Sequence, residues 1–552
     1  MSSAQDIYRW YEQLKNERFN FDNTAQAIID NIDPHHRDVT IERAAGARKN
    51  ERMFDGTGGY GSHIFSQFVQ GALFNQATQW FSLRSRDPQV NQKQDNAAWM
   101  KDTTARILLQ MRPSFYGPAG QNVLDWGLFG NGPMLIEEVP RGPRAGLGRL
   151  KFTAIPWGQY VMAEGDDGKI DKFIRSMKLP AHQVVKLGKV SDSIERAAEK
   201  EPMKQFEILH SIMPRDFSGY SKSKVSTNKD YPFASCWVEV EAKRLIKESG
   251  YRKFPVAVAR YSLIAGETYA RGLGELCLPD QKSLHRADES ALLKWDRELD
   301  PPLLQKRGSI IGNILSTQAR GRTVVTDINN SVKALFENSN WQAHDMMADR
   351  KQKQILQVWH VNEILNLMSR EKPEMTAFEV SARLQLLQQI IGPIFGLLEA
   401  EFLSVIVDIC LDLMANIPGM IAKPPADIAQ SIPHNAFDIV YEGPLARAQR
   451  NQEIQAIQQT VADIGGIQPF EPSIPKLLDW EKTARRLSEI RGTQDLLVSN
   501  EEYIDAMNKM LEQQNAEKQA AMIGGAAQAA GQAAPFLKVM RDQASGGQSA
   551  AA

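Results

Sequence analysis

The chain has 552 residues, 42% of them hydrophobic and 24% charged, a balance that excludes a disordered polymer and supplies a sizeable core spread over several domains. Lys plus Arg number 65 against 66 Asp plus Glu, so the basic surplus expected of a protein that grips nucleic acid through many phosphates is absent. Three widely spaced cysteines, Cys236, Cys277 and Cys410, exclude a disulfide framework and a four-thiolate zinc site, and fit a reducing compartment. In chain order, residues 1–33 read as two short helices that end before Asp33-Pro34. An amphipathic helix is predicted over 60–82, with Ile64, Phe65, Phe68, Val69, Ala72 and Leu73 at helical spacing, followed by helices over 96–114 and 119–130.

From about 131 to 260 the pattern turns to short β-rich runs (MLIEEV, FTAIPW, YVMAE, FIRSMKL, FEILHSIMP, SCWVEVEA, FPVAVARYS) between Gly, Pro and Asp turns, with one helix near 181–201. Helices dominate again from 279. Residues 279–299 place Leu284, Ala287, Ala291, Leu292, Trp295 and Leu299 on one face, and Asp300-Pro301-Pro302 stops them. Short strands and Gly turns fill 303–333, Thr323 to Thr326 being the clearest strand, and a second helix covers 341–368. After the polar break Ser369-Arg370-Glu371-Lys372-Pro373, Thr376 and Glu379 form a capping box, with Met375 and Val380 as its staple. Periodicity then runs to about Ala415, roughly 60 Å of helix at 1.5 Å per residue, with a kink expected at Gly392-Pro393. Residues 437–443 read as a strand and 444–514 as helix, with a further capping box at Ser499 and Glu502. From about 516 an Ala, Gly and Gln tail is low in complexity.

The start MSSAQDIYRWYEQLK lacks the apolar core of a signal peptide. The most apolar stretch, 390–414, carries Glu399, Glu401, Asp408 and Asp412, too many charges for a comfortable membrane span, so no membrane is expected and a soluble cytoplasmic product is. One motif invites an enzyme reading. Gly56-Thr57-Gly58-Gly59-Tyr60-Gly61 satisfies G-x-G-x-x-G and would serve a nucleotide-binding oxidoreductase if a buried strand preceded it. The preceding RAAGARKNERMFD is charged, polar or small, so the glycines read instead as a loop capping a helix. No Walker A sequence, G-x-S-x-G, H-E-x-x-H or C-x-x-C occurs. His35-His36 diverge as neighbours, and Asp166-Asp167-Gly168 reads as a turn without calcium ligands downstream. Neither catalytic residues nor a cofactor nor a metal is predicted.

Five segments, in order, resemble the head-tail connector (portal) family of T7-like short-tailed phages. They are Phe54-Asp55-Gly56-Thr57-Gly58 with Trp80-Phe81-Ser82-Leu83; Asp125-Trp126-Gly127 to Gly132 with Ile155-Pro156-Trp157-Gly158-Gln159-Tyr160; Arg271-Gly272-Leu273-Gly274 with Leu278-Pro279-Asp280 and Asp300-Pro301-Pro302-Leu303; Met375-Thr376-Ala377-Phe378-Glu379-Val380 with Arg383; and Gly443-Pro444-Leu445-Ala446-Arg447-Ala448-Gln449-Arg450. The resemblance covers roughly residues 5–510. Two places depart from it. Ala270 stands where the family often has glycine, and Gln281 and His285 stand where isoleucine and asparagine are common.

The resemblance implies a mainly α chain with an α+β wing, the portal fold of wing, stem, clip and crown, assembling as a ring of about twelve subunits around an axial channel. By matching segments, 1–278 would be the wing, 279–299 and 341–368 the stem helices, 300–340 the clip and 369–375 the tunnel loop. Residues 376–479 would be the long kinked helix and wing return, 480–515 the crown and 516–552 the tail. The implied partners are other copies of the chain, the major capsid protein and scaffold, the terminase large subunit, a tail adaptor and double-stranded DNA passing through non-specifically. The implied place is the head-tail vertex of the virion, with Ser369, Arg370, Glu371, Lys372 and Pro373 nearest the DNA. A near-zero net charge suits a conduit, because a polyanion must slide through it without being held.

Overall fold

The structure, a computed structural model, describes residues 4–44, 46–87, 90–91, 93–139, 150–215, 231–299, 303–305, 332–334, 341–368, 392–431, 437–442, 444–467 and 478–491, with parts of 503–513. These residues are mainly helical with sheet regions and divide into two compact units, Met1–Ala448 and Gln449–Ala552.

The first unit opens with α1 (Ala4–Glu17) and α2 (Phe19–Asn31), as the sequence predicts. In α2, Ala25, Ile28 and Ile29 recur at helical spacing and are buried. The next helix, α3, spans Thr57–Leu73, short of the predicted 82. Phe74 ends it, and a turn in which Asn75 Oδ1 accepts the Ala77 N–H leads into β1 (Phe81–Ser85). Tertiary pairing overrides helical propensity here, because β1 lies antiparallel to β12 (Phe437–Tyr441) with Phe81 opposite Tyr441. Helices α4 (Gln94–Met111) and α5 (Tyr116–Phe129) follow. Gly130, at φ 84°, closes α5 in the left-handed cap that favours glycine.

The predicted β region forms two antiparallel sheets. One has the order β3-β2-β9, with β2 (Asn131–Glu138) between β3 (Leu150–Ala154) and β9 (Val256–Arg260). The other is a five-stranded meander of β4 (Tyr160–Glu164), β5 (Ile170–Pro180), β6 (Gln205–Pro214), β7 (Phe233–Glu239) and β8 (Arg244–Tyr251). Strand β8 is absent from the sequence reading because it is a polar edge strand whose inward apolar side chain is Ile246. The single helix predicted near 181–201 is two, α6 (Ala181–Val184) and α7 (Asp192–Lys200). They part at Gly188, where a Cβ would stand 2.5 Å from the Ile246 carbonyl oxygen.

Helix α8 spans Leu273–Leu299, six residues longer than predicted at its start, with Pro279 inside it. The proline removes only the bond to the Glu275 carbonyl. Close packing of Gly272 and Gly274 on the backbone of Leu128 and Gly130 supports the earlier start. The second predicted helix is broken into α9 (Trp341–Val358) and α10 (Val361–Met368), with His360 at φ 54° between them. The break lets Trp359 turn inward, where it is fully buried beside Phe65. Between α8 and α9, β10 (Leu303–Gln305) pairs with β11 (Val332–Ala334), while the strand expected at Thr323 to Thr326 lies outside the described residues.

Of the long helix predicted over 376–415, the capping box and everything up to residue 391 lie outside the described residues. Residues 392–398 are helical, a π turn follows at Glu399–Leu403, and α11 (Ser404–Asn416) completes it. The N-terminal side of the expected Gly392-Pro393 kink is therefore undescribed. The irregularity on view is the π turn, whose Glu399 carbonyl accepts the Tyr441 hydroxyl at 2.8 Å. A short α12 (Ala426–Ser431) precedes β12.

A main core runs through this unit, with two smaller clusters beside it, one where Ile7 and Tyr11 of α1 meet Val161, Ile174 and Leu209, the other where Val184 and Ile194 meet Phe206 and Ile246. Trp80 stacks on Phe115 and Tyr441, and Phe65 packs between Trp126 and Trp359 with centroids 6.0 Å from each. Such pairs contribute about 0.5–1.5 kcal/mol each beyond burial. In the second unit, α13 (Pro444–Ile467, beginning in the first) and α14 (Trp480–Arg491) are joined by Arg486, which bonds Glu453 Oε1 at 2.7 Å. The Ser499 and Glu502 capping box lies outside the described residues.

Candidate functional site

The predicted site, Ser369, Arg370, Glu371, Lys372 and Pro373, lies outside the described residues. The other candidate, the glycine run, is well defined. Gly56 is the N-cap of α3, and the remaining glycines sit in its first turns rather than in a loop. Each faces a close neighbour. An added Cβ would stand 2.7 Å from Gln281 Oε1 at Gly58, 2.8 Å from the Ile32 carbonyl oxygen at Gly59, and 2.7 Å from Trp359 Cδ1 at Gly61. The first two N–H groups of the helix, which a pyrophosphate would need, are taken. Thr57 N–H donates to Asp55 Oδ1 at 2.8 Å and Gly58 N–H to Gln281 Oε1 at 3.1 Å. With these donors already satisfied by the protein's own oxygens, the helix N-terminus has little left for an anion. The motif is a close-packing device.

Around it lies a buried polar clasp that joins residues 54–58 to α8 and α9. Asp55 accepts from Thr57, and its Oδ2 from Gln352 Nε2 of α9 at 2.9 Å. Gln281 Nε2 of α8 donates to the Asp55 carbonyl at 3.1 Å. His285, one turn on, accepts the Phe54 and Asp55 N–H groups on Nδ1 at 3.3 Å and donates from Nε2 to the Asn31 carbonyl at 2.8 Å. That pattern requires the hydrogen on Nε2. Burial opposes the charge of Asp55, yet the bonds from Thr57, Gln352 and Gln281 hold its carboxyl below the usual range. Lys351 reinforces the α8–α9 pairing through Asp280 at 2.6 Å. Gln281 and His285 are two of the three residues that depart from the family pattern, and both serve this clasp.

A second polar cluster fixes the segment after α2 against α5. His36 Nε2 bonds Asp125 Oδ1 at 2.9 Å and its Nδ1 lies 3.4 Å from Asp33 Oδ2, which His63 also approaches at 3.2 Å. Burial alone would pull His36 down, but Asp125 and Asp33 outweigh it and push it up to about 10. Burial pushes Asp125 up in spite of His36, whereas at Asp33 the His36 hydrogen bond and charge win over burial and lower it. Among the described residues, no group of three or more His, Cys, Asp or Glu is placed to hold a metal, and no helix is long and apolar enough to cross a membrane. All three cysteines are buried thiols.

Two segments quoted for the resemblance meet here. Asn131 Nδ2 donates to the Ala270 carbonyl at 2.8 Å, and Ala270 N–H returns to Asn131 Oδ1 at 3.0 Å. A Cβ at Gly272 would stand 2.5 Å from Gly130 N. The backbones of the two segments touch where they meet. Residues 4–498 match the family of bacteriophage head to tail connecting proteins. The chain belongs to that family. It is 26% identical to the portal protein of Salmonella phage epsilon15 over 567 aligned positions, covering 97% of this chain and 95% of the relative. It is 23% identical to the probable portal protein of Bordetella phage BPP-1 over 537 positions, covering 95% and 94%. Among solved structures, a chain from the neck of an empty gene transfer agent particle is 11% identical with a TM-score of 0.33, covering 76% of this chain and 91% of that one. A chain from the virion of the native gene transfer agent particle is 11% identical with a TM-score of 0.32, covering 80% and 95%. The connector family is structural rather than enzymatic, so the oxidoreductase reading falls on family as well as on geometry.

Proposed function

We propose that the chain is the subunit of a portal ring at the head-tail vertex of a virion, through which the genome is packaged and ejected and to which the tail attaches. The observation that carries this reading is the match to portal proteins of two phages along 95% or more of the chain. Surface chemistry supports it. Leu292, Leu293 and Trp295 of α8 and Met346 and Met347 of α9 are exposed, leaving apolar side chains on the distal parts of paired helices for a neighbouring copy to cover. In this reading 279–299 and 341–368 are the stem, 1–278 the wing, 480–515 the crown, and 300–340 the clip that meets the terminase large subunit and the tail adaptor. The major capsid protein and scaffold surround the ring, and Ser369 to Pro373 brush the DNA. The ring holds about twelve copies.

Negative-stain microscopy of the purified chain is the test. A ring with an open axial channel is expected, with Trp295→Ser shifting the population toward free subunits; a stable monomer by light scattering would refute the reading.

A further inference from the structure

Between α1 and the start of α2, the segment after α2, the turn before β4, and strands β5 and β6 lies an open cleft of about 560 Å³. Six cations line it: Lys15, Arg18, Arg37, Arg43, Lys49 and Lys178. Its four acids are already engaged. Asp38 pairs with Arg43 and Lys49 at 3.1 Å each, and Glu42 pairs with Lys178. Asp22 pairs with Arg18 at 2.8 Å and accepts Trp157 Nε1, and Glu207 accepts the Ser176 hydroxyl at 2.5 Å. Among the described residues, Lys15 and Arg37 form no ion pair, although the charge of Arg37 is felt by Glu42. Arg18 is 3% exposed, and its Nη1 has no hydrogen-bond partner. Arg175 sits next to the cleft, bonded to Gln159 of its wall at 3.4 Å. It is held below the usual arginine range by burial and also by the like charge of Arg37.

We propose that this cleft binds a compact, multiply charged phosphate, with Lys15 and Arg37 as its ligands. Guanidinium and ammonium groups take oxyanions through charge-assisted hydrogen bonds. The volume exceeds a single phosphate and suits a chain of two or three. Apolar side chains are a minority of the wall, which gives an attached base little to rest on. An acidic peptide would spread its carboxylates over the wall's four acids, whereas a compact polyphosphate concentrates charge at the two uncommitted cations.

The test is calorimetric titration of the full chain with sodium tripolyphosphate. Both ligand residues are exposed, so the Lys15→Ala, Arg37→Ala double variant should fold normally, as an unchanged melting curve would verify. Saturable binding, weakened about tenfold or more in the double variant and steeply reduced by added salt, is the expected result. Absence of binding, or binding that the double variant leaves intact, would overturn the proposal. So would binding of a glutamate-rich decapeptide that depends on the same two residues while tripolyphosphate fails, an outcome that assigns the cleft to an acidic protein segment.

Discussion

Helix α3 contains its own control for the claim that its glycines are there for close packing. At Gly61 a methyl group would meet Trp359 at 2.7 Å from Cδ1, 2.9 Å from Cγ and 3.1 Å from Cβ, and that indole is fully buried with Phe65 behind it. At Gly71, three turns along the same helix, nothing lies within 4 Å of an added Cβ. Replacing a mid-helix glycine with alanine gains roughly 0.5–1 kcal/mol in conformational terms. Gly71, in the last turn, should gain at most that amount, so Gly71→Ala should stabilise the chain slightly. Gly61→Ala receives the mid-helix gain but must displace a ring held on several sides. Overpacking costs roughly 1–3 kcal/mol, so a net loss of about 1–2 kcal/mol is expected. Urea denaturation followed by circular dichroism, with both variants at one protein concentration, reads the difference directly. If the two variants shift the midpoint in the same direction by similar amounts, the close-packing account of the glycine run is wrong.

The other predictions follow from the polar clusters and the loop. Asp55 has a depressed folded pKa, so its contribution is present above the unfolded value near 4 and fades as pH falls through the folded one. Asp55→Asn should cost about 1–2 kcal/mol at pH 7, and the gap in melting temperature from the parent should narrow toward pH 3. His36 has the opposite sign. Its raised pKa gives stability that is complete below about 6.5 and lost as pH climbs toward 10. Stability curves of His36→Gln and the parent should accordingly converge at high pH and separate near pH 6. Deleting residues 369–373 should leave rings visible by microscopy while DNA packaging or retention drops, and normal packaging would remove that segment from the channel.

The elements with strong periodicity or alternation were legible in the residues themselves. Helices α1 and α2, the β-rich runs and the α8 face around Leu284 follow from local pattern. What was not legible depends on partners distant in sequence. The pairing of Phe81 with Tyr441 turns the end of an apparent helix into a strand, and the pocket that receives Trp359 breaks another helix at His360. The clasp was half visible. Gln281 and His285 lie one turn apart beside the buried Leu284, a polar pair on an apolar face, but nothing local points to Asp55 or Gln352 as their partners. His36 and Asp125 are likewise brought together only by the fold.

The β1–β12 pair also sets a clock. Its strands lie about 350 residues apart, and Trp80 completes its stack only when Tyr441 arrives. A ribosome adding about 5–20 residues per second takes roughly 20–70 s to cover that distance. Throughout that interval the growing chain carries Trp80 and Phe81 without the strand that covers them. The first unit therefore finishes folding only after almost its whole length has been made.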